Sequence, residues 1–90
     1  MVDALHRAYD HLKQQPKYQD ANVELPTLYR EAQREKADLS VADFHKALVE
    51  LEDKRAVNLS FHAESKGVPD ADKCIQRHGK VVYYVYWFRD

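Results

Sequence analysis

The chain has 90 residues, a formal net charge of −1, two glycines and one cysteine. That length allows a single small domain with one modest core, and near-neutrality excludes a global electrostatic pull toward nucleic acid. Cys74 alone cannot form an internal disulfide, no apolar run is long enough to span a bilayer, and Asp3, His6, Arg7 and Asp10 interrupt any signal-peptide core. The expectation is no membrane association, with residence in the cytoplasm, or in the nucleus of a eukaryotic cell.

The first predicted element is a helix over about residues 3–15. Asp3 suits its N-cap, Leu5, Ala8, Tyr9 and Leu12 recur at i, i+3, i+4 and i+7, and Pro16 ends it. Residues 17–24 read as a polar loop, with a short strand at Asn22-Val23-Glu24. A second helix is expected over about 26–37. Pro26 fits its first turn, where a missing N–H is harmless. Leu28, Tyr29 and Ala32 form its apolar stripe, and Arg30, Glu31, Arg34 and Glu35 its wet side. Glu31 and Glu35 can pair weakly along the helix with Arg34 and Lys36.

The segment 36–40 is a tight turn. Leu39 is its apolar residue, and Ser40 with Asp43 three positions on has the form of a capping box. The third helix, over about 40–54, carries Phe44, Ala47, Leu48 and Leu51 on one face. A strand over about 57–63 alternates apolar and polar residues, so Val57, Leu59 and Phe61 are expected to face the core. A loop over 64–80 follows, punctuated by Gly67, Pro69 and Gly79. Its 70–78 stretch fits either a helical turn capped by Asp70 or extended structure.

The last strand, over about 81–88, reads VVYYVYWF and has no charged position. Alternation separates Val81, Tyr83, Val85 and Trp87, assigned to the core, from Val82, Tyr84, Tyr86 and Phe88, assigned to a partly exposed stripe.

The order helix, helix, turn, helix, strand, long loop, strand resembles the winged-helix superfamily over nearly the whole chain. The stretch LSVADFHKALVELEDKRAV resembles the recognition helix of bacterial MarR- and PadR-type regulators. Leu39-Ser40 matches the pair that opens that helix, and Leu51-Glu52 the pair that leads into the strand at Val57. Arg55 stands where those regulators often have glycine, no length remains for dimerising helices, and the loop is longer. The resemblance implies an α+β winged helix-turn-helix, with three helices and a small antiparallel sheet.

It also implies duplex DNA as a partner, in transcriptional control or as a targeting module of a larger assembly. Val41, Ala42, His45 and Lys46 would face the major groove. Thr27 and Arg30 would meet phosphate, and Lys66, Lys73, Arg77 and Lys80 would grip the backbone from the loop, with Arg77-His78-Gly79-Lys80 as the densest basic spot. Glu50 and Asp53 oppose that use, and mixed charge on a solvated helix face needs no ligand. The alternative is a protein-interaction module. Tyrosine and phenylalanine are enriched at interfaces, so Tyr84, Tyr86 and Phe88 would contact a protein partner or the rest of a parent chain. Oligomeric state and target are not legible.

Enzymatic chemistry is not expected. Cys74 and His78 have ligand spacing but no second pair to complete a zinc site. No glycine loop for phosphate and no oriented nucleophile is present. No cofactor or metal is expected.

Overall fold

A computed structural model describes residues 2–19, 22–62, 70–77 and 79–88. Within them the chain is α+β, with three helices and a small antiparallel sheet. The helices are α1 (Val2–Lys13), α2 (Leu25–Gln33) and α3 (Val41–Asp53). The strands are β1 (Val23–Glu24), β2 (Val57–Phe61), β3 (Ile75–Arg77) and β4 (Lys80–Trp87). No described helix is long and apolar enough to cross a membrane.

The helices follow their apolar spacing. Leu5, Ala8, Tyr9 and Leu12 of α1 are buried, as are Leu28, Tyr29 and Ala32 of α2 and Phe44, Ala47, Leu48 and Leu51 of α3. Two ends differ from expectation. α1 stops at Lys13, because Gln14 and Gln15 donate to carbonyls only three residues back and Pro16 opens a 3-10 turn, Pro16–Tyr18. Tyr18, assigned to a polar loop, is buried, and its hydroxyl donates to Glu24 at 3.3 Å. α2 stops at Gln33, four residues early. The chain must leave the helix there so that Leu39 can enter the core. Tyr29 Oη donates to the Leu39 carbonyl at 2.8 Å, and Gln33 Nε2 reaches the same oxygen at 3.3 Å. Glu35 pairs across to Arg7 of α1 at 3.0 Å, and Glu31 to His11 at 2.5 Å, so these acids tie α2 and the turn after it to α1.

Ser40 Oγ accepts the Asp43 N–H at 3.1 Å and caps α3. At the other end Ala56 N–H donates to Leu51 O and Arg55 N–H to Glu52 O, each at 2.9 Å. That pair of bonds is a Schellman cap, and it forces Arg55 to φ 61°. Glycine adopts this conformation freely, whereas an L side chain is strained there. Arg55→Gly is therefore expected to raise stability by about 1 kcal/mol. In a domain this size that is a Tm increase of about 4–8 °C, read by thermal melting. A lowered Tm would mean that the arginine side chain compensates its own strain.

β4 is the centre of the sheet. β2 pairs with one of its edges, while β1 and β3 share the other, giving the order β1-β4-β2. Val57 lies opposite Trp87, Leu59 opposite Val85 and Val23 opposite Val85, so these residues share the helix-covered face. The register then jumps. Ser60 faces Tyr84 but Phe61 faces Val82, which leaves Tyr83 as an extra residue in β4, a β-bulge.

The bulge interrupts the alternation and corrects two expectations. Val82, assigned to the exposed stripe, is buried between its register partners Ile75 and Phe61. Phe61, assigned to the core, is 44% exposed. The 70–77 stretch uses both of its predicted forms: a 3-10 turn at Ala71–Lys73, then β3. Asp70 precedes that turn at φ 54°, and Gly79 sits at φ 75° between β3 and β4. Nothing lies within 4 Å of where a Gly79 Cβ would stand, so its conformation and not a close neighbour selects glycine there.

Candidate functional site

Three contacts hold the β3 segment to α2 and α3. Arg30 of α2 forms an ion pair with Asp70. His45 Nε2 of α3 bonds the Lys73 carbonyl at 2.7 Å. Arg77 of β3 makes a two-pronged pair with Glu52 of α3, at 2.7 and 3.1 Å, with both side chains about 30% exposed. Hydrogen bonding to Glu52 holds the Arg77 pKa up, and the charge of Asp53 adds to that. A bidentate arginine–carboxylate pair is among the stronger charge-assisted contacts. Phosphate would have to displace the carboxylate from that arginine.

The residues assigned to nucleic acid therefore divide. Arg30, Arg77 and His45 are engaged within the fold, and Lys73 pairs with Asp72 at 3.0 Å. Thr27 and Val41 are half-buried, and Val41 packs on the core. Ala42 and Lys46 are exposed on α3. Lys80 is exposed on the hairpin, with its ammonium 5.7 Å from the Phe61 ring centre. Lys66 and His78 lie outside the described residues. The exposed side of α3 holds an open depression of about 260 Å³ lined by Asp43, Lys46, Ala47 and Glu50. Two carboxylates against one ammonium make it unfavourable for a polyanion.

The other assigned surface is apolar. Tyr86 is 39% exposed and Phe88 48%, and their rings meet edge to face with centres 5.8 Å apart. Lys13 Nζ lies 5.9 Å from the Tyr86 ring centre. Tyr84 is half-buried, against Tyr83 at 5.1 Å and stacked on His62 at 6.2 Å. The Phe88 N–H donates to the Ala56 carbonyl at 2.9 Å, which pins the aromatic end of the strand beside the turn after α3. The structure thus brings Tyr86 and Phe88 together and keeps Tyr84 apart, inside a separate aromatic cluster.

Among the described residues no group of three His, Cys, Asp or Glu side chains stands close enough to hold a metal ion. Cys74 is buried, and its thiol donates to the Asp70 carbonyl at 3.6 Å. Burial, reinforced by the charges of Asp70 and Asp72, pushes its pKa up to about 11. Thiolate is the reacting form, so at pH 8 the folded protein should react with a disulfide reagent about a hundredfold more slowly than the unfolded chain. A raised folded pKa also means that the folded state holds its proton longer. This contribution to stability is present below the unfolded value near 9 and is lost as pH rises through about 11. Thiol titration in native buffer and in denaturant checks the rate difference; equal rates would show that the thiol is accessible.

Sequence reasoning missed the partners of the basic residues. Glu52 lies 25 positions from Arg77, and Asp70 lies 40 from Arg30. No local spacing signals either pair. Compared with known proteins, the chain matches no family model, no curated protein and no solved structure.

Proposed function

We propose that this chain is a winged-helix module that works by binding another protein through the aromatic end of β4. The fold half of the proposal rests on the element order α1, β1, α2, turn, α3, β2, β3, β4 and on the strand order β1-β4-β2. The β3–β4 hairpin takes the part of a wing, and the Leu39-Ser40 and Leu51-Glu52 pattern supports α3 as the helix of that architecture. One observation carries the functional half. Tyr86 and Phe88 stand exposed side by side, while Arg30, Lys73 and Arg77 are each paired with a carboxylate. Exposed neighbouring aromatics are the usual anchors of protein interfaces.

Duplex DNA remains a second reading, favoured by Lys46 on α3 and Lys80 on the hairpin, which are both exposed. A labelled mixed-sequence duplex separates the two. Titration at low salt, followed by anisotropy, is expected to show no saturable binding tighter than about 100 µM. Salt-sensitive binding in the micromolar range, lost in Lys46→Ala/Lys80→Ala, would overturn the protein-binding proposal. Its positive arm is a photo-crosslinking residue at position 88 in the source cells. That residue should trap a discrete protein, which the same residue at position 46 does not.

A further inference from the structure

We infer that the partner of the Tyr86–Phe88 patch is an acidic, extended protein segment, held by the two rings and by Lys54 and Arg55 beside them. The inference rests on the protein-binding proposal and adds the chemistry of the partner. Its basis is the charge left over at one corner of the fold. The turn after α3 runs Glu52-Asp53-Lys54-Arg55-Ala56, and the Ala56 carbonyl holds the Phe88 N–H. Of the two acids of this turn, Glu52 binds Arg77 with both oxygens, while Asp53 is exposed. Lys54 and Arg55 are exposed, and neither side chain pairs with an acid among the described residues. Among the described residues the corner next to Phe88 therefore sets Lys54 and Arg55 against Asp53, with Lys13 Nζ over the Tyr86 ring, a local excess of positive charge on a protein that is negative as a whole.

Arg55 is the second observation. It occupies a left-handed cap position, φ 61°, where glycine is the unstrained choice. A cation near a helix C-terminus does gain from the helix dipole, but Lys54, one residue earlier, already supplies that. An arginine held at a conformational cost beside exposed aromatics points to use of its side chain.

Acidic peptide is favoured over single-stranded nucleic acid for a geometric reason. Nucleic-acid platforms offer free ring faces on which bases stack. Here Lys13 Nζ already lies over the Tyr86 ring, and Phe88 meets Tyr86 edge-on at 71°. Carboxylates and short apolar side chains fit such a surface better than a column of bases.

The test uses the full chain, labelled with 15N, and three probes. These are a 15-residue peptide alternating Glu with Leu and Phe, the same peptide with Lys for Glu, and oligothymidylate. Expected is a saturable shift of the amides at Arg55, Tyr86 and Phe88 with the acidic peptide only. Arg55→Gly should weaken that binding about fivefold at low salt while the protein melts higher. The opposite signs separate a binding role from a structural one, and Lys54→Gln serves as a second variant that leaves the cap untouched. Equal binding of both peptides at Tyr86 and Phe88 would overturn the inference and leave the protein-binding proposal standing. Binding of oligothymidylate at these amides would overturn both. Shifts that depend on protein concentration alone would assign the patch to a second copy of the chain and overturn the acidic partner. No response to any probe would also overturn it, whereas the crosslink at position 88 bears on the broader proposal independently.

Discussion

Phe44→Ala is expected to remove about 3–5 kcal/mol of folding stability. A domain of 90 residues has roughly 5–13 kcal/mol in total, so this single change takes a large share of it. Phe44 has no solvent exposure and packs its ring 5.1 Å from that of Tyr29, at the junction of α2 and α3. Tyr29 in turn holds the Leu39 carbonyl, so the ring also backs the turn that sets the two helices against each other. Truncation leaves a cavity beside that hydrogen-bonded turn. Urea denaturation checks the loss. The midpoint should fall with an unchanged slope; a loss under about 1 kcal/mol would mean that the site collapses freely.

The second large effect contrasts neighbours on one strand. Trp87→Ala should cost about 2–3 kcal/mol, below the full range for a large aromatic because the ring is half-buried. The ring lies 4.8 Å from His6 and 5.9 Å from Tyr9, and its backbone N–H donates to Tyr9 Oη at 3.2 Å. It therefore fastens the sheet to α1. Tyr86→Ser and Phe88→Ser, on the opposite face, should cost under about 1 kcal/mol each. Tyr86→Ser should nonetheless abolish the crosslink formed by the photo-reactive residue at position 88, since paired aromatic anchors typically supply most of an interface's energy. If Phe88→Ser destabilised the fold as much as Trp87→Ala, the patch would be part of the core's support and not a surface held ready for a partner.

Much of the fold was legible from local pattern. The apolar stripes of all three helices, the Ser40 cap and the turn at Leu39 were readable because each depends on residues close in sequence. The site was half legible. Tyr86 and Phe88 could be assigned to an exposed stripe because strict alternation holds from Tyr84 to the end of β4. Alternation fails before that, at the bulge, and so Val82 and Phe61 exchanged their expected surroundings. A bulge is a two-strand property: nothing in VVYYVYWF marks Tyr83 as the residue without a partner, since that depends on where β2 is anchored.

The basic residues teach the same lesson through charge. By sequence, Arg77 through Lys80 is the densest positive stretch, and a count of neighbours makes it a phosphate grip. In the folded chain Glu52 takes Arg77 and Asp70 takes Arg30. Coulomb attraction falls off with distance in space and not along the chain, so the charge that a partner meets is set only once distant segments are brought together. Periodicity and capping act over a few residues, so the α+β class, the three helices and the apolar strand at the centre of the sheet could be read from local pattern. That acids take up Arg30 and Arg77, and that Val82 is covered while Phe61 is exposed, emerges only in the folded chain, because the partners lie 40, 25 and 21 positions away.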